Sequence, residues 1–284
     1  MFEITSRREL SPNIVEMKVY APRVAKSAKP GQFVIVRTDD HGERIPLTIC
    51  DFDTEAGTVT IVTQTIGISS RKINSLQVGD AFADFAGPLG NPSDLLDLPE
   101  EELKNKKILF VAGGVGTAPV YPQVKWLKAH GVDADVIIGA KTKGLFTYVD
   151  EMQTVGNVYL CTDDGSAGFH GMVPGLMKDL IENQGKKYDH CVIIGPMIMM
   201  KFASLATKEY GIPTVVSLNA LMVDGTGMCG ACRVTVDGKT RFTCVEGPEF
   251  DAHKVDFDEA MRRQNMYRGN QKTNPETHNC KCHG

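Results

Sequence analysis

No apolar run in this 284-residue chain approaches the roughly 18 residues a membrane-spanning helix needs. Excess charge of either sign is also missing. Lys and Arg number 31 against 35 Asp and Glu, a net charge of −4, which argues against a binder of nucleic acid or another polyanion. No signal-peptide pattern opens the chain either, so a cytoplasmic protein is expected; no internal repeat is visible. The composition, 42% hydrophobic and 23% charged, is that of a globular protein with room for two or three small domains.

Eight cysteines are present and unevenly placed. Cys50, Cys161 and Cys191 stand singly in or beside apolar stretches, as small buried thiols do. Cys229, Cys232 and Cys244 fall within sixteen residues, whereas Cys280 and Cys282 lie in a polar tail. That spacing argues against a disulfide framework and for one local site.

Residues 1–98 predict an antiparallel β-barrel. Apolar and polar residues alternate over 14–20, 31–37 and 58–63, and Pro22, Pro30-Gly31, Gly57 and Gly87-Pro88 punctuate them. After the acidic stretch that begins at Leu98 the period changes. Buried strands at 107–112, 134–140, 157–162 and 190–195 alternate with helical runs at 119–130, 173–183 and 197–210, and 214–218 closes the series. Such alternation over residues 99–220 predicts a parallel sheet covered by helices on both faces. The cysteine group occupies residues 221–257, and 258–284 is a polar tail expected to be loosely structured unless a partner orders it.

The cysteine segment runs from Asp224 to Cys244. Asp237-Gly238 between two alternating runs predicts a two-residue type I′ hairpin. Pairing Val236 with Lys239 then places Cys244 opposite Ala231, beside Cys232, so the hairpin folds the third thiolate onto the Cys-x-x-Cys pair. Gly225, Gly227 and Gly230 let the backbone wrap closely and aim N–H groups at sulfur. This pattern favours a 2Fe–2S centre over zinc, which rarely needs three glycines, or a redox disulfide, which needs no third cysteine. A 2Fe–2S centre takes four ligands, and Asp224 stands where a Cys-x4-Cys-x2-Cys pattern would carry its first cysteine. A carboxylate can ligate iron. The alternatives are that Asp224 only caps a turn and a remote cysteine supplies the fourth ligand.

Gly113-Gly114-Val-Gly116-Thr117-Ala-Pro119 follows a buried strand and opens a helix, which can turn backbone N–H groups toward a phosphate or a nicotinamide ring. A plain tight turn is the competing reading. Pro119, taken as the first helical residue, replaces the third glycine of the dinucleotide fingerprint. Asp163 and Asp164 follow the third strand on the same sheet edge, where carboxylates suit ribose hydroxyls and repel a 2′-phosphate, leaning toward NAD(H). Lys141 and Lys143 lean mildly the other way, and a solvated turn would also explain the pair. Gly195, Pro196 and Met197 after the fourth strand either bracket the nicotinamide or simply start a helix. Nicotinamide delivers hydride whereas a 2Fe–2S cluster takes one electron at a time, so a converter is needed, and a flavin is the usual one. Arg44, Pro46, Leu47 and Thr48 are the candidates for it, with Gly67, Ser69 and Ser70 as phosphate donors and Thr63 beside them.

Pro30-Gly-Gln-Phe-Val34, Arg44-x-Pro-Leu-Thr48, Gly87-Pro-Leu-Gly90, the Gly113 turn, Asp163-Asp-Gly-Ser166 and the cysteine block occur in that order. As a set they resemble the ferredoxin reductase-type flavoproteins, specifically the electron-transfer subunit of dihydroorotate dehydrogenase and its relatives, over about residues 1–257. The resemblance implies an antiparallel FAD-binding β-barrel, a Rossmann-like parallel-sheet NAD domain and a small 2Fe–2S hairpin domain. It implies that Arg44, Leu47, Thr48, Gly67 and Ser70 hold FAD and that residues 113–117 approach the nicotinamide. Aspartate at position 224, where the dihydroorotate subunit has cysteine, resembles the small subunits of NADH-dependent reduced ferredoxin:NADP oxidoreductases. Those partner a larger subunit with its own FAD and 4Fe–4S clusters and bifurcate electrons, reaching ferredoxin through the complex. The dihydroorotate subunit remains the alternative within this class, and a non-enzymatic electron carrier or metal module the alternative outside it. No side chain stands out as a general acid or base, as suits hydride transfer controlled by stacking and distance.

Overall fold

The computed structural model describes residues 2–266. The chain begins with β1 (Phe2–Ser11), β2 (Ile14–Tyr20), α1 (Pro22–Ser27), β3 (Phe33–Arg37), β4 (Ile45–Asp53), β5 (Thr58–Gln64), α2 (Ile68–Ser75), β6 (Ala81–Phe82) and β7 (Asp84–Leu89). These strands form one antiparallel sheet in the order β6-β1-β2-β5-β4-β3-β7. Its two end strands are separated by the single residue Ala83, whose N–H donates to the Arg37 carbonyl at 2.9 Å. The sheet must therefore curl back on itself into a near-closed barrel.

Period-2 alternation explains what fills the barrel and what covers it. Val15, Met17 and Val19 of β2, Val34 and Val36 of β3, and Val59 and Ile61 of β5 share one interior core. Phe33 and Ile35 point the other way into a separate apolar cluster. β3 is thus buried on both faces. Two helices interrupt this part of the chain where strands alone were expected: α1 starts on Pro22, a residue pre-set for a first helical position, and α2 sends Ile73 into the barrel core.

The second part runs through α3 (Glu100–Asn105), β8 (Ile108–Gly113), α4 (Thr117–Ala129), β9 (Asp135–Ala140), α5 (Val149–Gln153), β10 (Asn157–Thr162), β11 (Phe169–His170), α6 (Val173–Lys178), β12 (His190–Ile194), α7 (Met197–Glu209) and β13 (Thr214–Ser217). The last part contains β14 (Arg233–Val236), β15 (Lys239–Phe242), α8 (Thr243–Glu246), β16 (Glu249–Asp251) and α9 (Phe257–Gln264). A second sheet has the order β11-β10-β9-β8-β12-β13-β16, parallel except where β16 runs against β13. Both faces are covered. Leu109 and Val111 pack with Leu176, Met177, Met200 and Ala203 of α6 and α7, while Phe110 and Ala112 pack with Val120, Val124 and Leu127 of α4.

Two local expectations are corrected. Helix α4 begins at Thr117, so Pro119 is its third residue, still within the first turn, where a backbone N–H has no intrahelical partner to lose. Residues 257–264 form α9 rather than a loose tail. The Asp256 side chain caps it by accepting from the Glu259 N–H, and Phe257 and Ala260 bury one face. Arg263 reaches the Ala231 carbonyl at 3.0 Å. The tail cysteines Cys280 and Cys282 lie outside the described residues. No helix among the described residues is long and apolar enough to cross a membrane.

β16 also brings a carboxyl group to the junction of the three parts. Gln123 Nε2 of α4 donates to Glu249 Oε1 at 2.7 Å, whereas Glu249 Oε2, Gln123 Oε1 and Ser93 Oγ are buried with no hydrogen-bond partner among the described residues. Desolvation pushes Glu249 up to about 7, against the opposing pull of the Gln123 hydrogen bond. A carboxyl raised above its unfolded value contributes stability that is complete below the unfolded pKa and lost as pH rises through the folded one. The thermal midpoint is therefore expected to fall between about pH 5 and pH 8. Glu249→Gln should remove most of that fall and leave the variant about 2 kcal/mol more stable than the parent at the alkaline end. Parallel melting curves for the two proteins across the range would contradict this.

Candidate functional site

The Asp237-Gly238 turn has φ of 53° and 69°, as a type I′ hairpin requires. Val236 pairs with Lys239, and the ladder continues to Arg233 opposite Phe242. There the ladder stops and α8 begins. Thr243 fixes the change of direction by donating twice to the Cys232 carbonyl, from N–H at 3.2 Å and from Oγ1 at 2.8 Å. Cys232 and Cys244 end with their sulfurs 3.2 Å apart and both side chains buried. Cys229 is exposed, and N–H groups of Ala231 and Asp224 hold its thiol below the ordinary range. Burial and the neighbouring Cys232 push Cys244 up.

Asp224 Oδ2 accepts from the Thr226 N–H at 2.9 Å, the Thr226 hydroxyl at 2.5 Å and the Met228 N–H at 3.2 Å, bonds that keep its carboxyl below the usual range. The carboxylate organises the loop with one oxygen, which leaves the second for another task. Among the described residues no group of three His, Cys, Asp or Glu side chains is placed to hold a single metal ion. A binuclear 2Fe–2S centre does not need one, because each iron takes two protein ligands. The close Cys232–Cys244 pair suits one iron, and Asp224 with Cys229 would serve the other.

This loop is seated on the barrel. Cys232 and Cys244 share an apolar cluster with Phe33 and Ile35 of β3 and with Met222. Gly225 sits at φ +86°, and a Cβ there would lie 2.5 Å from Ile35 Cδ1. On the neighbouring strand β4, Pro46 is opposite Ile35, Leu47 opposite Val34 and Thr48 opposite Phe33; all three are half-buried. Gly67 precedes α2, and Ser70 Oγ accepts from the N–H groups of Ile66 and Gly67 at 2.8 and 2.9 Å. Ser70 therefore shapes the turn with its hydroxyl, while N–H groups of the first turn of α2 stay free of intrahelical bonds. Ser69 Oγ bonds Glu43, which brings the segment before Arg44 beside that helix start. Thr63 is buried in β5, where its carbonyl accepts from Asn74 at 3.1 Å.

On the other side of β4 lies β5, and the outer faces of these two strands meet the glycine turn. Cys50 and Val62 pack with Val115, Ala118 and Tyr148. Within the turn, a Cβ on Gly116 would lie 2.4 Å from the Ile194 carbonyl oxygen, and one on Gly113 would lie 2.3 Å from Met199 Sδ. A Cβ on Gly195 would lie 3.1 Å from the Gly113 nitrogen, so the turns after β8 and β12 touch. Gly114, at φ +56°, faces open space. Thr117 is fully buried and donates to the Gly114 carbonyl at 3.0 Å.

The acidic loop after β10 is two strands away from β8. Asp164 accepts from Ser166 N–H and Oγ at 3.0 and 2.6 Å, and Ser166 Oγ accepts from the Lys143 N–H at 2.8 Å. Asp164 is thus committed to loop structure, and Asp163 is exposed beside it. Pro196 is exposed, and Met197 starts α7, the second of the two readings of this segment, with its side chain in the core beside Met200 and Val234. Sequence reasoning also missed Glu16 and Tyr148, 132 positions apart, which are hydrogen-bonded in a buried contact. Arg8 completes it with ion pairs to Glu16 at 3.0 Å and Glu151 at 2.6 Å. A charged residue inside the alternating run of β2 was the signal available.

Comparison with known proteins places these features. The iron–sulfur cluster binding domain of dihydroorotate dehydrogenase B matches residues 219–256. A protein of the adh 3′ region of Clostridium beijerinckii is 60% identical over 94% of this chain and 91% of its own length. The dihydroorotate dehydrogenase B (NAD(+)) electron transfer subunit homolog of Thermotoga maritima is 43% identical over 96% of this chain and 94% of its own length. The chain belongs to the dihydroorotate dehydrogenase B electron-transfer subunit family. A solved structure of an NADH-dependent reduced ferredoxin-NADP oxidoreductase, studied for flavin-based electron bifurcation, matches with a TM-score of 0.88 and 41% identity. That match covers 96% of this chain and 95% of the other.

The glycine turn of this family member can be tested by stability alone. Gly114→Ala strains the left-handed backbone but meets no atom, and should cost about 1 kcal/mol. Gly116→Ala forces a methyl group against a backbone carbonyl and should cost about 2–3 kcal/mol in denaturant unfolding. Equal stabilities would refute this account of the turn.

Proposed function

We propose that the chain is the flavin and iron–sulfur electron-transfer subunit of an electron-bifurcating NADH-dependent ferredoxin:NADP oxidoreductase. The observation that carries this reading is the seating of the Cys232–Cys244 pair in one apolar cluster with Phe33 and Ile35, across a strand pair from Thr48 and Pro46. In this reading FAD lies along β4, with Arg44 and the start of α2 toward its phosphates and Leu47 and Thr48 toward its ring. Gly113, Gly114, Gly116 and Thr117 face NAD(H), with Asp163 near its ribose and Gly195 and Pro196 closing the far side. Asp224, Cys229, Cys232 and Cys244 hold a 2Fe–2S cluster. Bound FAD converts the hydride of NADH into single electrons that the cluster can accept.

The likeness to the oxidoreductase structure at 41% identity, together with Asp224 at the first ligand position, supports this assignment over electron supply to a dihydroorotate dehydrogenase. The partner in this reading is a larger subunit carrying its own FAD and 4Fe–4S clusters, through which ferredoxin is reached. Six cysteines are free among the described residues, which fits a reducing compartment and a cytoplasmic site of action.

NADH added to the anaerobic isolated chain is expected to bleach both flavin and cluster absorption, with NADPH much slower. Reduction by NADPH and not by NADH would overturn the nucleotide assignment. Asp224→Ala should lose iron or change the EPR signal of the reduced chain; unchanged iron content and an unchanged signal would remove Asp224 from the ligand set.

A further inference from the structure

Besides the flavin pyrophosphate at which Arg44 is expected, its guanidinium has three partners within the chain. Nε donates to the Val223 carbonyl at 2.8 Å and Nη2 to the Asp224 carbonyl at 3.3 Å, from 180 positions away in the sequence. Nη1 lies 3.6 Å from Asp84 Oδ2, the same oxygen that Arg37 Nε holds at 2.6 Å. The planar guanidinium is thereby fixed in orientation, with two donors on consecutive backbone carbonyls.

Those carbonyls flank the candidate iron ligand. Met222, immediately before them, is buried against Phe33 and Ile35. Gly225, immediately after them, approaches Ile35 so closely that a Cβ would not fit. Residues 222–225 are therefore held to the barrel by a side chain, a pair of charge-assisted hydrogen bonds and a close backbone approach. Of these, only the Arg44 bonds act on the Asp224 backbone itself, while the Asp224 carboxylate is steered by Thr226 and Met228.

We infer that Arg44 is a positioning residue for Asp224, a direct mechanical link between the flavin-binding edge of β4 and the ligand loop of the cluster. The inference rests on the proposed cofactor sites for its functional meaning and on the two hydrogen bonds for its geometry. A cationic fork that joins the phosphate-binding edge to the ligand loop makes the two sites hold each other in place. Any displacement of Arg44 is transmitted to the Asp224 backbone.

The test is Arg44→Lys in the full chain, with excess FAD in parent and variant so that flavin content is equal. Lysine keeps the charge but cannot span two carbonyls from one planar group. Amide hydrogen exchange in residues 225–231 should accelerate about tenfold, the consequence of losing charge-assisted bonds. The EPR signal of the reduced cluster should shift or broaden. Arg44→Gln should show the same loop effect and, having lost the positive charge, a lower cluster midpoint potential. Unchanged exchange and an unchanged EPR signal in Arg44→Lys would overturn the inference. A parent chain without iron in which Arg44→Lys still loosens residues 225–231 would leave the clamp standing and defeat the cluster reading instead.

Discussion

The arrangement depends on one docking contact, the seating of the loop before Cys229 on the outer face of β3. A strand buried on both faces makes it possible. Val34 and Val36 fill the barrel while Phe33 and Ile35 receive Met222, Cys232 and Cys244. Gly225 allows the backbone to come within reach, since any side chain there would meet Ile35 and Leu89. Without this contact the ligand loop would be an exposed segment on a two-stranded hairpin, which has little stability of its own.

From that contact the order of the proposed redox sites follows. β4 lies between β3, which carries the cluster loop, and β5, whose outer face with β4 meets the glycine turn. In the proposed assignment a flavin along β4 would stand between a hydride donor and a one-electron acceptor, without any side chain needing to act as acid or base. The buried pairing of Tyr148 with Glu16 and the Arg8 bridge to Glu151 hold the sheet against the barrel on the side of the glycine turn. Arg44 does the equivalent on the cluster side.

What the sequence made legible was local. The Asp237-Gly238 dipeptide set a register that the structure reproduces from Val236–Lys239 to Arg233–Phe242; beyond it Cys244 returns to Cys232 from the start of α8 rather than from a strand position opposite Ala231. The parallel sheet was legible because its strands are continuous apolar runs, as burial on both faces demands. Less legible was whatever depends on contacts between distant segments. α9 looked like tail because its composition is polar, yet an Asp256 cap and one apolar face suffice to order it. Residues 195–197 left two readings open, and only the packing of α7 shows that Met197 starts a helix with its side chain in the core. Arg44 carried a recognisable pattern for phosphate binding, and nothing local announced that its donors would close on carbonyls at 223 and 224.

The most direct test of the central claim is the metal and sulfide content of the anaerobically purified chain. About two irons and two acid-labile sulfides per chain are expected, bound only while Cys229, Cys232 and Cys244 are intact. A single zinc per chain with no sulfide would contradict it.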